Sequence, residues 1–225
     1  MPSKPRRTFA PLVLALGLAA CSAGQTPTNV PAPQQGEYSE SDLRAIEKAR
    51  ADSARLPYTE ADIHFMSGMI GHHAQAITMA DWVPTHGASP AIQRLAERIV
   101  NGQSDEIITM QTWLKDRLQP VPQPDSGGMT MMHGHEMHMP GMLTHAQMAQ
   151  LDQARGEEFD RLFLTFMIQH HQGAVTMVRE LFGSYGAGQD EVVFKFASDV
   201  NVDQTTEIAR MESMLEQMAP GGASQ

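Results

Sequence analysis

Apolar residues recur at helical spacing along most of this chain of 225 residues, and no stretch shows the strict alternation that is typical of a β-strand. N-cap residues at Thr59, Ser89 and Thr144 mark where three of the helices begin. The pattern predicts helices over about 40–54, 60–82, 90–118, 145–154, 157–182 and 190–218. Four of these helices are long and are joined by turns or loops, so the predicted fold is an all-α four-helix bundle.

One pattern occurs twice in the chain. Residues 69–79 read MIGHHAQAITM and residues 167–177 read MIQHHQGAVTM, with a His-His pair and two methionines in each copy. The repeat extends into the following helix of each half, where the pattern Gln-x-x-Glu-Ile-x-x-Met begins at Gln103 and again at Gln204. We therefore expect two helix-pair repeats that pack about a pseudo-twofold axis, joined by a long crossover over residues 119–142.

Each repeated helix directs imidazoles and thioethers to one face, because residues three, four and seven apart share a face of a helix. Burying four imidazoles costs free energy unless each finds a partner. Metal ligation would supply partners, and so would hydrogen bonds to Glu106, Glu207, Gln103 or Gln204; methionine at helical spacing can also be plain core filler. The candidate ligands in the bundle are His72, His73, Met69, Met79, His170, His171, Met167 and Met177.

The composition of the crossover favours metal binding over these structural alternatives. Prolines and a Gly-Gly pair open it, and residues 129–142 then read MTMMHGHEMHMPGM, a biased composition that predicts a loop outside the core. Thioether sulfur suits Cu(I), and imidazole suits copper, zinc and nickel, so methionine mixed with histidine predicts copper, with Cu(I) favoured over Cu(II). The candidate ligands here are Met129, Met131, Met132, His133, His135, Met137, His138, Met139 and Met142.

The N-terminus has the features of an export signal. Basic residues precede a short apolar run that ends in Leu18-Ala19-Ala20-Cys21, a sequence that resembles the bacterial lipobox. Cys21 is the only cysteine of the chain, and we predict that it is lipidated; an ordinary secretory signal with a chance cysteine is the alternative. The predicted organisation is a signal peptide over 1–20, a lipidated flexible tether over 21–38, the bundle over 39–218 and a disordered tail over 219–225.

The negative net charge of the chain limits the kinds of molecule that it can bind. The formal net charge is −10, and removal of the signal peptide takes away basic residues only, so the mature chain is more negative still. Such a protein should not bind nucleic acid, whereas it can attract cations. The chain also contains no Glu-x-x-His pair of the di-iron bundles, no phosphate-binding loop and no His-Glu-x-x-His zinc motif.

The doubled His-His pattern and its surroundings resemble the bacterial family known as domain of unknown function 305. The resemblance covers about residues 58–218 and implies a ferritin-like four-helix bundle. It also implies export and copper binding through methionine and histidine, as in some members of the family. The crossover looks like an addition to the common core, with no role assigned by the family. The resemblance rests on residues 62–79, 103–114 and 142–174.

These observations predict an envelope lipoprotein, facing the periplasm or the exterior, that buffers, stores or carries copper and contributes to copper tolerance. Its partners would be copper ions, the lipid membrane through the anchor at Cys21, and a copper-handling protein. We predict ligation without catalytic turnover, since no catalytic motif is present. Two alternatives stay open: a methionine-rich cuprous oxidase or other redox protein, and a metal-free helical interaction module.

Overall fold

A computed structural model describes residues 39–54, 57–124, 131–132, 135–136 and 139–219. The predicted signal peptide, Cys21 and the tether lie outside these residues, as does the tail beyond residue 219. The chain divides into two compact units, Met1–Ile46 and Glu47–Gln225, and the helical bundle belongs to the second. The domain limits given from the sequence stay a prediction.

The described residues form six helices and one very short hairpin. Their order is α1 (Glu40–Ala54), α2 (Glu60–Asp81), α3 (Pro90–Asp116), β1 (Met131–Met132), β2 (His135–Glu136), α4 (His145–Gln153), α5 (Gly156–Gly183) and α6 (Glu191–Met218). The helices begin and end within two or three residues of the positions expected from the sequence. The two strands, which pair antiparallel, were not expected.

Side-chain caps explain where the helices begin. Thr59 and Asp62 form a capping box at the start of α2, and Thr144 forms one at the start of α4. The side chain of Ser89 accepts a hydrogen bond from the first turn of α3, and that of Asp190 does the same for α6. These four caps satisfy backbone N–H groups that have no partner within their own helix.

The helices pack as two pairs. α2 packs along α3, α5 packs along α6, and the two pairs meet through α2 and α5. α3 and α6 face one another across a groove that residues of both helices line. The all-α bundle of two helix pairs predicted from the sequence is therefore confirmed.

Two apolar clusters fill the bundle, one toward each end. The first combines the beginnings of α2 and α6 with the ends of α3 and α5, and it includes Phe65, Trp113 and Phe196. The second combines the opposite ends of the same four helices and includes Leu95 and Phe163. Each long helix therefore supplies apolar residues to both clusters, and its middle lies between them.

The two halves hold one another through a reciprocal pair of hydrogen bonds. The Asp62 carboxylate accepts from the backbone N–H of Gly188, which precedes α6, at 2.7 Å. The Asp160 carboxylate accepts from the backbone N–H of Ser89, the N-cap of α3, at 3.1 and 3.2 Å. Asp62 and Asp160 occupy equivalent positions of the repeat, so each half stabilises the turn that precedes the second helix of the other half.

The structure differs from the sequence prediction at the C-terminal end of the crossover. Met139 and Met142 are buried in the first cluster, whereas the composition predicted a loop outside the core. Leu143, the next residue, is buried in the second cluster. Proline and glycine in this segment lead the chain across the bundle instead of away from it. Within the described part of the chain, no helix is long and apolar enough to span a membrane.

Candidate metal centre

A layer of polar side chains crosses the bundle between the two apolar clusters. It comprises one residue or pair from each long helix, and all its members are at least 97% buried. We call it the polar layer, and its members are His72 and His73 of α2, Gln103 of α3, His170 and His171 of α5, and Gln204 of α6. The four candidate imidazoles of the two repeats thus meet in one place.

The imidazoles lie close together. The ring centroids of His72 and His170, one from each half, are 3.8 Å apart with their planes inclined by 37°. Within each half the centroids of the adjacent rings are 6.4 Å and 6.3 Å apart. The His72–His170 contact is the point at which the two repeats face each other.

Three of the four imidazoles are oriented by a hydrogen bond at Nε2. Nε2 of His73 lies 2.6 Å from the Glu106 carboxylate, and Nε2 of His171 lies 2.8 Å from the Glu207 carboxylate. Nε2 of His72 lies 3.1 Å from the backbone carbonyl of Pro140. A carbonyl and an ionised carboxylate can only accept, so these Nε2 atoms donate the proton, and Nδ1 of a neutral ring then keeps its lone pair.

Those lone pairs have no partner. Among the described residues, Nδ1 of His72, His73 and His171 makes no hydrogen bond, and neither nitrogen of His170 does. A buried polar atom without a partner costs about 1–3 kcal/mol, and here five such imidazole nitrogens lie in one layer. An Nε2 held by a carboxylate with Nδ1 left bare is the arrangement of a metal-binding histidine with its outer-shell carboxylate.

Burial keeps two of these rings, those of His72 and His170, neutral. Burial and then the neighbouring His73 lower the pKa of His72 to about 3. Burial, followed by the neighbours His72 and His171, holds the pKa of His170 well below its usual range. For Glu207, burial alone would raise the pKa, but the hydrogen bonds from His171 and Arg98 outweigh it and lower the pKa. At neutral pH, His72 and His170 are therefore in the form that binds metals.

The candidate methionines lie on both sides of the polar layer, paired across the two repeats. Met69 of α2 and Met177 of α5 belong to the first cluster, with Met66 and Met110. Met79 of α2 and Met167 of α5 belong to the second, with Met211. All of them are at most 2% exposed. Sequence spacing grouped Met69 with Met79, whereas the antiparallel packing of α2 and α5 groups each with a methionine of the other half.

The donor set fits a soft metal better than a hard one. Among the residues the structure describes, no three His, Cys, Asp or Glu side chains are grouped as they would be around a metal ion. The apolar clusters on both sides of the layer contain thioethers, which prefer Cu(I). Imidazole nitrogen and thioether sulfur are ligand types that copper accepts.

The end of the crossover lies over the polar layer. Gln75 binds both the N–H and the carbonyl of Leu143, and Gln169 donates to the carbonyl of Gly141. Gly141 and Gly173 approach so closely that a Cβ on Gly173 would lie 2.0 Å from the Pro140 carbonyl oxygen. This close approach is what brings that carbonyl to His72.

The repeat differs at the positions that contact the crossover. Gln75 of the first copy corresponds to Gly173 of the second, and Gly71 corresponds to Gln169. These contacts were not predicted from the sequence, although the differences between two otherwise similar copies were the available signal. From the sequence, hydrogen bonds to Glu106 and Glu207 were expected only as an alternative to metal binding. In the structure these carboxylates bind Nε2 of His73 and His171, and Nδ1 is the nitrogen without a partner.

The candidate ligands of the crossover are only partly described. Met139 and Met142 lie in the first cluster with Met69 and Met177. The backbones of Met131, Met132 and His135 form the hairpin. Met129, His133, Met137 and His138 lie outside the described residues. Their part in metal binding stays a prediction.

The fold and this layer define a class of protein: a helical bundle of two repeated helix pairs that encloses imidazoles between methionines. The chain belongs to the family described as domain of unknown function (DUF305), which matches residues 62–215. The family expected from the sequence is thereby confirmed.

Solved structures of similar proteins support the fold. A DUF305 fragment from Deinococcus radiodurans is 30% identical with a TM-score of 0.61, over 72% of this chain and 99% of that one. A Streptomyces coelicolor DUF305 protein classed as secreted is 28% identical with a TM-score of 0.60, over 70% and 93% of the two chains. CopM in its Cu(I)-bound form is 27% identical with a TM-score of 0.55, over 73% and 100%.

CopM has also been solved in a Cu(II)-bound form and in Ag-bound forms. A further relative is uncharacterized protein L153 of Acanthamoeba polyphaga mimivirus, which is 39% identical over 56 residues. That match spans 25% of this chain and 37% of the length of the viral protein.

Proposed function

We propose that this protein binds copper in the polar layer, with Cu(I) preferred, and acts as a copper buffer, store or carrier without catalytic turnover. The observation that carries the proposal is the set of bare, buried imidazole nitrogens flanked by methionines. Copper-bound structures of CopM, a protein of the same fold, support it. The bundle ligands would be the four histidines with Met69, Met79, Met167 and Met177.

Each repeat should contribute to copper binding. Changing His72 and His73 together to Gln, or His170 and His171 together to Gln, should weaken Cu(I) binding by at least about tenfold, or about 1.4 kcal/mol. Glutamine keeps a polar side chain but offers no imidazole lone pair. The measurement is a Cu(I) titration against a competing chelator, with helix content followed by circular dichroism.

The matched control changes the exposed residues His64 and His145 to Gln, which removes two imidazoles outside the layer. If all four layer histidines can be replaced without any change in Cu(I) affinity or stoichiometry, the proposal is wrong. Steady oxygen consumption on addition of Cu(I) would favour a cuprous oxidase instead.

We further propose that the protein is exported and is anchored in the cell envelope through lipidated Cys21, where it contributes to copper tolerance. The lipobox-like sequence supports the anchor, and the Streptomyces coelicolor relative classed as secreted supports export. Replacement of Cys21 by Ser should move the protein from the membrane fraction to the soluble fraction or leave it uncleaved. Wild-type protein in the soluble fraction, with no lipid mass on its N-terminal peptide, would refute the anchor.

A further inference from the structure

The groove between α3 and α6 is the open side of the bundle at the level of the polar layer. It consists of two adjoining cavities of about 570 and 300 Å³ that share Glu106 and Asp203 in their walls. The side chains of Glu106 and Glu207, which hold two of the layer histidines, are 21% and 15% exposed. The groove therefore reaches within one side chain of the buried imidazoles.

The walls of this groove are strongly acidic. Six carboxylates line it against two basic groups, and both basic groups are already paired, Arg98 with Glu207 and Lys195 with Asp199. Burial, followed by the neighbours Glu106, Asp199 and Glu207, raises the pKa of Asp203. A concave surface of one charge sign concentrates counter-ions and accelerates their binding.

Buried amides at the floor of the groove also lack partners. Gln103 and Gln204 line the cavity and are each 3% exposed. Within the described part of the chain, neither amide atom of Gln103 makes a hydrogen bond, nor does the amide oxygen of Gln204. Amide and carboxylate oxygens are the donors that hydrated cations accept.

We infer that this groove is a binding site for metal cations and the route by which they reach the polar layer. Asp105 and Asp203 attract the cation, the floor amides replace part of its water shell, and Glu106 and Glu207 stand between it and the imidazoles of His73 and His171. The route into the layer rests on the proposed copper function, whereas cation binding in the groove does not.

Cation binding can be tested with Mn(II), whose unpaired electrons broaden nearby NMR signals. Mn(II) added to the apo protein should broaden the amide signals of Gly102, Asp105 and Asp203 before those of other surface residues. The double variant D105N/D203N should lose this selectivity. A control variant, E180Q/E212Q, removes the same charge from exposed positions that do not line the groove, and it should behave as the wild type. Uniform broadening in the wild type would overturn the groove site.

The route is tested by the rate of copper uptake. Cu(I) supplied as its acetonitrile complex should bind to D105N/D203N about tenfold more slowly than to the wild type at low ionic strength, with unchanged final stoichiometry. The control should keep the wild-type rate. Equal rates in all three proteins would overturn the route. If the wild type takes up no Cu(I) while Mn(II) still broadens the groove signals, the copper proposal fails and cation binding in the groove stands.

Discussion

The hydrogen-bond partner at Nε2 orients three of the four imidazoles in the polar layer. A carboxylate or a carbonyl accepts from Nε2 in His73, His171 and His72, and leaves Nδ1 bare. His170 has no such partner among the described residues, so its tautomer is not imposed. The four histidines are alike in sequence but unequal as ligands.

Burial of the layer predicts how stability depends on pH. His72 has a pKa of about 3 in the folded protein and about 6.5 when unfolded, and the pKa of His170 is lowered in the same direction. Above pH 6.5 both states are neutral and stability is unaffected. Below pH 6.5 these histidines become protonated in the unfolded chain but stay neutral in the folded chain. The free energy of unfolding therefore falls by up to about 1.4 kcal/mol per pH unit for each histidine as the pH drops toward 3.

Urea unfolding of the apo protein between pH 7.5 and pH 4.5 checks this. The variant H72Q/H170Q should lose part of the acid sensitivity, whereas H64Q/H145Q, changed at exposed positions, should keep the wild-type slope. Identical slopes in the layer variant and the wild type would contradict a neutral buried pair.

At the scale of elements, the end of the crossover belongs to the bundle. Met139 and Met142 are packed in its core, and three side chains bind the backbone between Pro140 and Leu143. A deletion intended to test the metal capacity of the crossover must therefore stop before Met139. Removal of the whole segment to Met142 would also open the first apolar cluster.

The close approach at Gly173 should be sensitive to one methyl group. In G173A the new Cβ meets the backbone of Pro140, which cannot move as a flexible side chain would, so we expect a loss of stability of about 1–3 kcal/mol. The shift of Pro140 should also release Nε2 of His72, which is visible in the NMR signals of that ring. G102A is the matched control, because within the described residues nothing lies within 4 Å of the added methyl, and alanine favours the helix by up to about 1 kcal/mol. Equal stability of G173A and wild type would contradict the contact.

The helices could be predicted because their signals are local. Caps such as Thr59 and Thr144 mark helix starts whatever the chain packs against. The grouping of Met69 with Met177 could not be predicted, since it depends on how far α2 and α5 overlap, and periodicity within one helix carries no such information. The burial of Met139 could not be predicted for a related reason, since the residues that it packs with lie on helices far away in sequence.

At the scale of the whole molecule, the reciprocal bonds of Asp62 and Asp160 make the two halves mutually dependent. Cleavage of the chain at a protease site inserted between residues 126 and 127 should therefore leave the two fragments associated. Size-exclusion chromatography should show one species with the elution volume of the intact protein. The same cleavage in a D62N/D160N background should give fragments that separate at lower urea concentrations. Immediate separation of the wild-type fragments would show that the crossover connection, and not the packing of α2 on α5, holds the halves together.

The complete burial of several methionines has a chemical consequence. Met66, Met69, Met79, Met110 and Met167 have no exposed surface, although each is in the vicinity of a layer proposed to hold a redox-active metal. A thioether is converted to its polar sulfoxide by peroxide, and a sulfoxide in an apolar cluster would disrupt the packing on either side of the imidazoles. The two apolar clusters around the polar layer therefore keep these sulfur atoms away from oxidants in solution.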